Sequence, residues 1–455
     1  MNQTPKLNLF QKIGGFLGKV AHTSTRWVML ITAAGMGLSL IFHVLIPRYL
    51  GSSETADALI AALKVVLLVD TIVREGAKFS LVPLFIKEET LRSDADFQRF
   101  TNGTLSFSIT VGVIILLLIE ILATTIANGL LSSSSVAGRA QMSTILRLCA
   151  PLVIFGCAST VLGAFLNSQK YFKTVALRNL LPPTLATAVF LFLSGTENLV
   201  YYVAVAYACG FMVYFVWLYI GTHRVGHRYQ LTGLPLDTLR SLKNTITLPT
   251  LGFTIRQTIA RLLVEVFLVG KLGEGAIILY NSAFRIFSAI QTLIGISIAT
   301  TGLPDMAADK VAVDKVRLRQ ILLRNIRTVL YIAIPATVLL LFGSTIIAQL
   351  LFGGSKFDES EVQQIGQLLL YLGTGTVFSC LIPVLNAGLY AQKAYRLIFR
   401  NMVTMAVLNF AIAYGLVTVL GLQGIALSVA GTALLAVGNL LYLLRKTGVA
   451  LSTST

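Results

Sequence analysis

The amino-acid sequence predicts an all-α, polytopic membrane protein with twelve transmembrane helices arranged as two parallel six-helix repeats. Three observations predict it. Hydrophobic residues make up 55% of the 455 residues and charged residues only 12%, about half the charged share of a soluble domain; mean hydropathy is +0.80. Apolar runs recur at the length a bilayer demands, ~20 residues for a hydrocarbon core of ~30 Å. A motif in the first half of the chain returns in the second.

Residues 1–26 read as a cytoplasmic interfacial segment. Leu9, Ile13, Phe16, Leu17 and Val20 recur at helical spacing with Lys12 and Lys19 between them, the pattern of a short helix lying in the interface plane. The basic stretch is too long for a cleavable signal, and no small-residue cleavage site follows the first apolar run. Spans 27–47, 58–86, 103–127, 144–166, 174–194 and 199–221 form a first lobe, 27–221. Residues 222–246, with Gly233 and Pro235, form a cytoplasmic linker. Spans 247–270, 276–304, 328–350, 363–390, 401–420 and 425–444 form a second lobe, 247–446, followed by a cytoplasmic tail, 447–455. The second and eighth spans are long and contain charges, which predicts tilt or a break there. Pro151, Pro182, Pro183, Pro335 and Pro383 interrupt other spans.

Alternation from a cytoplasmic N-terminus places 25 Lys and Arg on the inner side and 4 on the outer, Arg48, Arg139, Lys271 and Lys356. Cytoplasmic loops carry such an excess, so both termini are expected in the cytoplasm. The same bias accounts for the net charge of +17 without a nucleic-acid partner.

After the fourth span the chain reads Leu166-Asn-Ser-Gln-Lys-Tyr-Phe-Lys, then Arg178-Asn179. After the tenth it reads Leu389-Tyr-Ala-Gln-Lys-Ala-Tyr-Arg, then Arg400-Asn401. The copies lie 223 residues apart, and Val82-Pro83 returns as Leu303-Pro304 at 221. An offset of six spans keeps one orientation, so the repeat is parallel about an axis along the membrane normal, with a site expected between the halves.

Seven cations fall inside the spans: Lys64, Arg74, Lys78, Arg147, Arg256, Arg261 and Arg285. Facing lipid, each costs ~2.5–3.5 kcal/mol, and all together on the order of 20 kcal/mol. They must therefore line a wet cavity or meet partners. At ~100° per residue, Lys64, Asp70, Arg74, Glu75 and Lys78 share an arc of roughly 140°, one polar stripe down the second helix. Arg261 and Glu265 are four apart and can pair. One reading makes Arg74, Lys78, Arg256, Arg261 and Arg285 a cationic cavity for an anionic substrate, with Asp57, Asp70, Glu75 and Glu265 in support. Phosphate or pyrophosphate suits it, since guanidinium presents paired donors to phosphate oxygens. The rival reading is structural ion pairs, Asp70–Arg74 and Arg261–Glu265, closing the bundle.

The remaining features carry less. His223 and His227, four apart without a companion carboxylate or Cys, read as a solvated face rather than a metal site. Cys149, Cys157, Cys209 and Cys380 lie in apolar runs as packing residues. Gly373-x-Gly375 follows no strand and reads as packing; Gly424, Gly431 and Gly438, seven apart, read as close helix contacts. Glu120 is an isolated acid, either an ion-coupling group or a residue near the outer interface. No Ser/His/Asp, Cys/His, Walker or zinc constellation is present in the sequence, so neither an enzyme nor a cofactor or metal is expected.

The second helix and its approach, Thr55-Ala-Asp57-Ala…Ala62-x-Lys64…Arg74-Glu75-Gly76-Ala77…Val82-Pro83, resembles the T-D-A-F…A-F-K/R…A-E-G-A-F…V-P signature of the MurJ/MviN lipid II flippases. Leu248-Pro249-x-Leu251-Gly252, Leu279-Tyr280…Ala283-Phe284-Arg285-Ile286 and Gly295-Ile-x-Ile-Ala299…Leu303-Pro304 resemble its helices 7 and 8. The resemblance covers essentially the whole chain. It implies the MATE-like, two-lobed fold of the MOP exporter superfamily. It also implies alternating-access transfer of a polyprenyl-pyrophosphate-linked glycan, lipid II or a cell-wall or exopolysaccharide relative, across the bacterial inner membrane. Membrane lipids and a coupling ion are further implied partners. The chain departs from the family pattern in places. It has no arginine between Arg26 and Arg48, Asp70 and Thr71 stand at the family's paired arginines, and Phe284 replaces the Asp before Arg285. Ala394 stands at an Asp of the eleventh helix, and the family's last helix pair has no counterpart. Two other readings are a multidrug or cation exporter of the same superfamily, which predicts an acid-rich cavity, and a membrane scaffold without transport.

Overall fold

The computed structural model describes residues 23–230, 232–233, 248–307 and 314–449. The expectations for residues 1–22, for most of the linker and for 450–455 lie outside the described residues. The described part is helical, in twelve consecutive units. They are α1 (Thr23–Leu50), α2 (Glu54–Leu91), α3 (Asp94–Leu130), α4 (Val136–Ser168), α5 (Phe172–Phe192), α6 (Leu199–Arg224), α7 (248–268), α8 (276–307), α9 (Lys315–Phe352), α10 (359–391), α11 (395–420) and α12 (422–446). Several helices run past the apolar runs that predicted them; α9 begins thirteen residues earlier, at Lys315.

The breaks have local causes. Pro151 has no amide to give the ladder and divides α4, and Pro182-Pro183 opens the main segment of α5. α10 bends by 46° where Gly375 parts its two segments. Gly421, at φ 57°, separates α11 from α12. Residues Ile259–Leu268 of α7 and Thr292–Ile296 of α8 are π-helical. Length and apolarity alone mark every unit as a candidate span except α2 and α7, with α11–α12 marked as one. Those two helices carry five of the seven intramembrane cations.

Packing repeats with the sequence. In the first half α1 meets α5, α4 meets α2, α3 and α6, and α5 meets α6. In the second half α7 meets α11, α10 meets α8, α9 and α12, and α11 meets α12. The turns after α4 and α10 are superposable in their bonding. Lys170 and Lys393 take φ 65° and 54°. Tyr171 N–H donates to the Leu166 carbonyl at 2.8 Å, and Ala394 N–H donates to that of Leu389 at 3.1 Å. Both are helix-ending Schellman turns with lysine at the left-handed position.

The halves meet through α1 and α2 against α7 and α8, over a core containing Phe42, Ile60, Tyr280 and Phe287. At the end of the bundle carrying the α1–α2 and α7–α8 turns they are latched. Asp57 accepts from the Ile278 amide at 2.8 Å, Glu54 N–H donates to Glu274 Oε1 at 3.2 Å, and the Ser133 hydroxyl donates to the Gly270 carbonyl.

Two expectations of packing are corrected. Gly431 and Gly438 have nothing within 4 Å of where a Cβ would stand, so they are not close helix contacts; Gly375 is, with Ala430 Cα 2.5 Å from that position. His227 is buried, not solvated: its Nε2 lies 2.9 Å from Asn102 Oδ1 and its ring 5.0 Å from that of Phe165. The chain bends back after Gly226 and tucks this side chain onto α3 and α4.

Candidate functional site

Two cavities share a wall. The smaller, about 250 Å³, lies where α1 and α2 face α8, and includes His43, Lys64, Arg261, Glu265, Asn281 and Arg285 in its lining. The larger, about 590 Å³, is walled by α7, α8, α10, α11 and α12, with Glu75 reaching it from α2. Arg261, Glu265, Phe284 and Ser288 border both.

The π-helical stretch of α7 sets the pairing. An α-helix would stack Arg261 on Glu265 one turn later; the wider π turn offsets them. Glu265 reaches across to the other half, where its Oε2 lies 2.9 Å from Lys64 Nζ. Both are buried, 8% and 7% exposed, and Lys64 lies 6.0 Å from the Tyr280 ring. Arg261 Nη1 instead reaches Thr71 Oγ1 at 3.4 Å. The expected Asp70–Arg74 pair is also replaced. Asp70 pairs with Arg178 of α5, whose guanidinium lies 5.5 Å from the Phe211 ring. Arg74 pairs with its neighbour Glu75 at 3.1 Å.

Of the five cations expected to meet substrate, Arg261 and Arg285 line the smaller cavity and Arg256 and Arg261 the larger. Arg74 lines neither, and the side chain of Lys78 lies outside the described residues. Among the described residues no carboxylate oxygen comes within 4.0 Å of Arg256, Arg261 or Arg285. Asp57, expected as a supporting carboxylate, lies away from these cations. It is 2% exposed and caps the N-terminus of α8 through the Ile278 amide, where orphan donors and the helix dipole favour an anion. Arg147 meets Glu120 at 3.8 Å on the half-exposed flank of α3 and α4.

Sequence reasoning left one residue out of the site and misplaced a second. Lys64 was in the polar stripe of α2 but not among the binding cations. Arg178, counted with the cytoplasmic loops, is carried inward by α5; its signal was the repeated Arg-Asn pair. Among the described residues no group of three or more His, Cys, Asp or Glu is placed to hold a metal ion, and the four cysteines are free.

Two six-helix halves in parallel repeat, meeting through α1 and α2 against α7 and α8 beside two cavities that share a wall, define a two-lobed membrane transporter fold. The chain belongs to the family described as Lipid II flippase MurJ, whose profile matches residues 46–455. The Lipid II flippase MurJ of Burkholderia cenocepacia is 24% identical over 437 residues, covering 92% of this chain and 84% of that protein. A solved structure of Lipid II flippase MurJ in an inward closed conformation has a TM-score of 0.78 at 18% identity, covering 92% of this chain and 87% of that one. An inward-facing multidrug resistance MATE family transporter of the MOP superfamily has a TM-score of 0.76 at 15% identity, covering 94% of this chain and all of that one.

Proposed function

We propose that this chain is a flippase, not a catalyst. It transfers lipid II, or a related polyprenyl-pyrophosphate-linked glycan, across the bacterial inner membrane by alternating access. One observation carries the reading: the smaller cavity gathers Lys64, Arg261 and Arg285 against a single carboxylate, Glu265. An anionic head neutralises that excess with charge-assisted bonds; the acid-rich cavity of a cation exporter is the opposite arrangement. The excess of Lys and Arg in alternate loops supports cytoplasmic termini. That orientation supports an outer position for the latched end, with Asp57. Transport is then a rocking of residues 1–221 against 247–446.

A fluorescent lipid-linked oligosaccharide in proteoliposomes tests this. Wild-type protein is expected to move it to the opposite leaflet, and Arg261→Ala with Arg285→Ala to abolish the movement. Transport unchanged in that double variant would end the cationic-cavity claim. Rescue of a flippase-depleted cell separates a transporter from a scaffold, which does not rescue.

A further inference from the structure

We propose that the larger chamber is a glycan subsite, and that Arg256 on its wall selects a head group carrying a carboxylate. The proposal rests on the smaller cavity being the diphosphate site.

The two cavities differ in chemistry. The smaller sets Lys64, Arg261 and Arg285 against Glu265 and adds the Asn281 amide, whose Nδ2 has no hydrogen-bond partner among the described residues. That set satisfies phosphate oxygens. The larger is apolar over much of its wall, carries Arg256, Arg261, Glu75 and Glu265, and adds amides such as Gln291, Asn386, Asn401 and Asn409, groups that match the donors and acceptors of a sugar. Some are unspent. The Tyr280 hydroxyl, on a side chain 0% exposed, and Asn386 Oδ1 have no hydrogen-bond partner among the described residues. Buried polar groups are normally satisfied, so a polar ligand accounts for both. At about 590 Å³ the chamber is within the ~300–1,000 Å³ range of ligand pockets.

Arg256 narrows the ligand further. Its guanidinium lies 5.7 Å from the Phe253 ring and its Nε has no hydrogen-bond partner among the described residues. A neutral sugar brings no counter-charge to this guanidinium, which has no carboxylate within 4.0 Å among the described residues; a carboxylate takes two parallel bonds from it. The shared border at Arg261 and Phe284 lets one molecule occupy both spaces, diphosphate on one side and acidic glycan or peptide on the other.

Soluble probes separate the chambers. The purified full chain in nanodiscs is titrated with inorganic pyrophosphate, with a neutral N-acetylated disaccharide, and with a disaccharide ending in a uronic acid. The acidic disaccharide is expected to bind about tenfold more tightly than the neutral one, the worth of one charge-assisted bond. Arg256→Gln erases that preference and leaves pyrophosphate binding unchanged, and Arg285→Gln does the reverse. Arg256→Lys, which keeps the charge, retains part of the preference, whereas a misfolded variant loses pyrophosphate binding too. Acidic and neutral disaccharides binding alike, or a preference that survives Arg256→Gln, overturns the proposal. Wild-type protein that ignores pyrophosphate defeats the diphosphate reading on a separate probe, while the Arg256-dependent preference still decides the glycan subsite.

Discussion

Lys64 of α2 and Glu265 of α7 form a buried ion pair across the two halves, 2.9 Å from nitrogen to oxygen. Removing one partner leaves a buried charge without its counter-ion, so Glu265→Gln is expected to cost ~3–5 kcal/mol. The double variant Lys64→Met/Glu265→Gln recovers most of that loss, because it removes the orphan as well. Denaturant unfolding in detergent reads both. A single variant as stable as the double would show that the pair does not hold the halves together.

Arg178 and Asp70 make the contrasting case, a pair inside the first half on α5 and α2. Arg178→Gln is expected to destabilise by a similar ~3–5 kcal/mol, yet to leave pyrophosphate binding per folded molecule unchanged. Arg285→Gln, whose side chain lines the smaller cavity, lowers binding with little change in stability. Calorimetric titration of the folded fraction distinguishes them, and loss of binding in Arg178→Gln would move that residue into the site.

Asp57 is the latch. It reaches the α8 N-terminus from the opposite half, so its bond exists only while that end is closed. Asp57→Ala removes a cap worth ~1–2 kcal/mol and shifts the closed-to-open ratio about tenfold. Spin labels at Ser52→Cys and Leu272→Cys report the distance across the latched end. The expected result is a longer-distance population in Asp57→Ala that is minor in the parent, and an unchanged distribution would remove Asp57 from the gate.

The helices and the repeat were legible because each rests on local pattern: apolar length, punctuating prolines, and the doubled Gln-Lys turn at Lys170 and Lys393. The charged stripe of α2 was legible for the same reason. Partner choice was not. Arg261 and Glu265 looked paired because an α-helix puts residues four apart on one face, and nothing local announced the π-helical turn. Asp70 found Arg178, 108 residues away, through packing that periodicity does not encode. Asp57 was expected among the carboxylates supporting the cationic cavity and belongs instead to a helix end in the other half.

His227 gives a pH test outside the membrane-spanning segments. Burial, then the nearby His223, holds its imidazole below the ordinary 6.5. Asn102 Nδ2 donates to the Arg228 carbonyl at 3.4 Å, which leaves Asn102 Oδ1 to accept from a neutral imidazole. With its folded value depressed, the unfolded chain takes the proton first. Stability is therefore full above 6.5 and lost as pH falls below it, by up to ~1.4 kcal/mol per pH unit. Melting temperatures between about pH 7.5 and about 5.5 are expected to fall more steeply in the parent than in His227→Gln, and equal slopes would acquit the histidine.

Two glycines in equivalent-looking helical settings should respond oppositely to one added methyl. A Cβ on Gly210 of α6 would overlap the backbone of Pro182, where α5 packs against it. Neither backbone can yield without parting the two helices, so Gly210→Ala is expected to cost ~1–3 kcal/mol as overpacking. Gly431 of α12 has nothing within 4 Å of the same position. There the methyl meets no obstacle and lowers the entropy of the unfolded chain, so Gly431→Ala is expected to be neutral or to stabilise by up to ~1 kcal/mol. Parallel thermal melts in one detergent compare them directly. Equal shifts in both variants would mean that α5 and α6 do not approach as closely as Pro182 and Gly210 require.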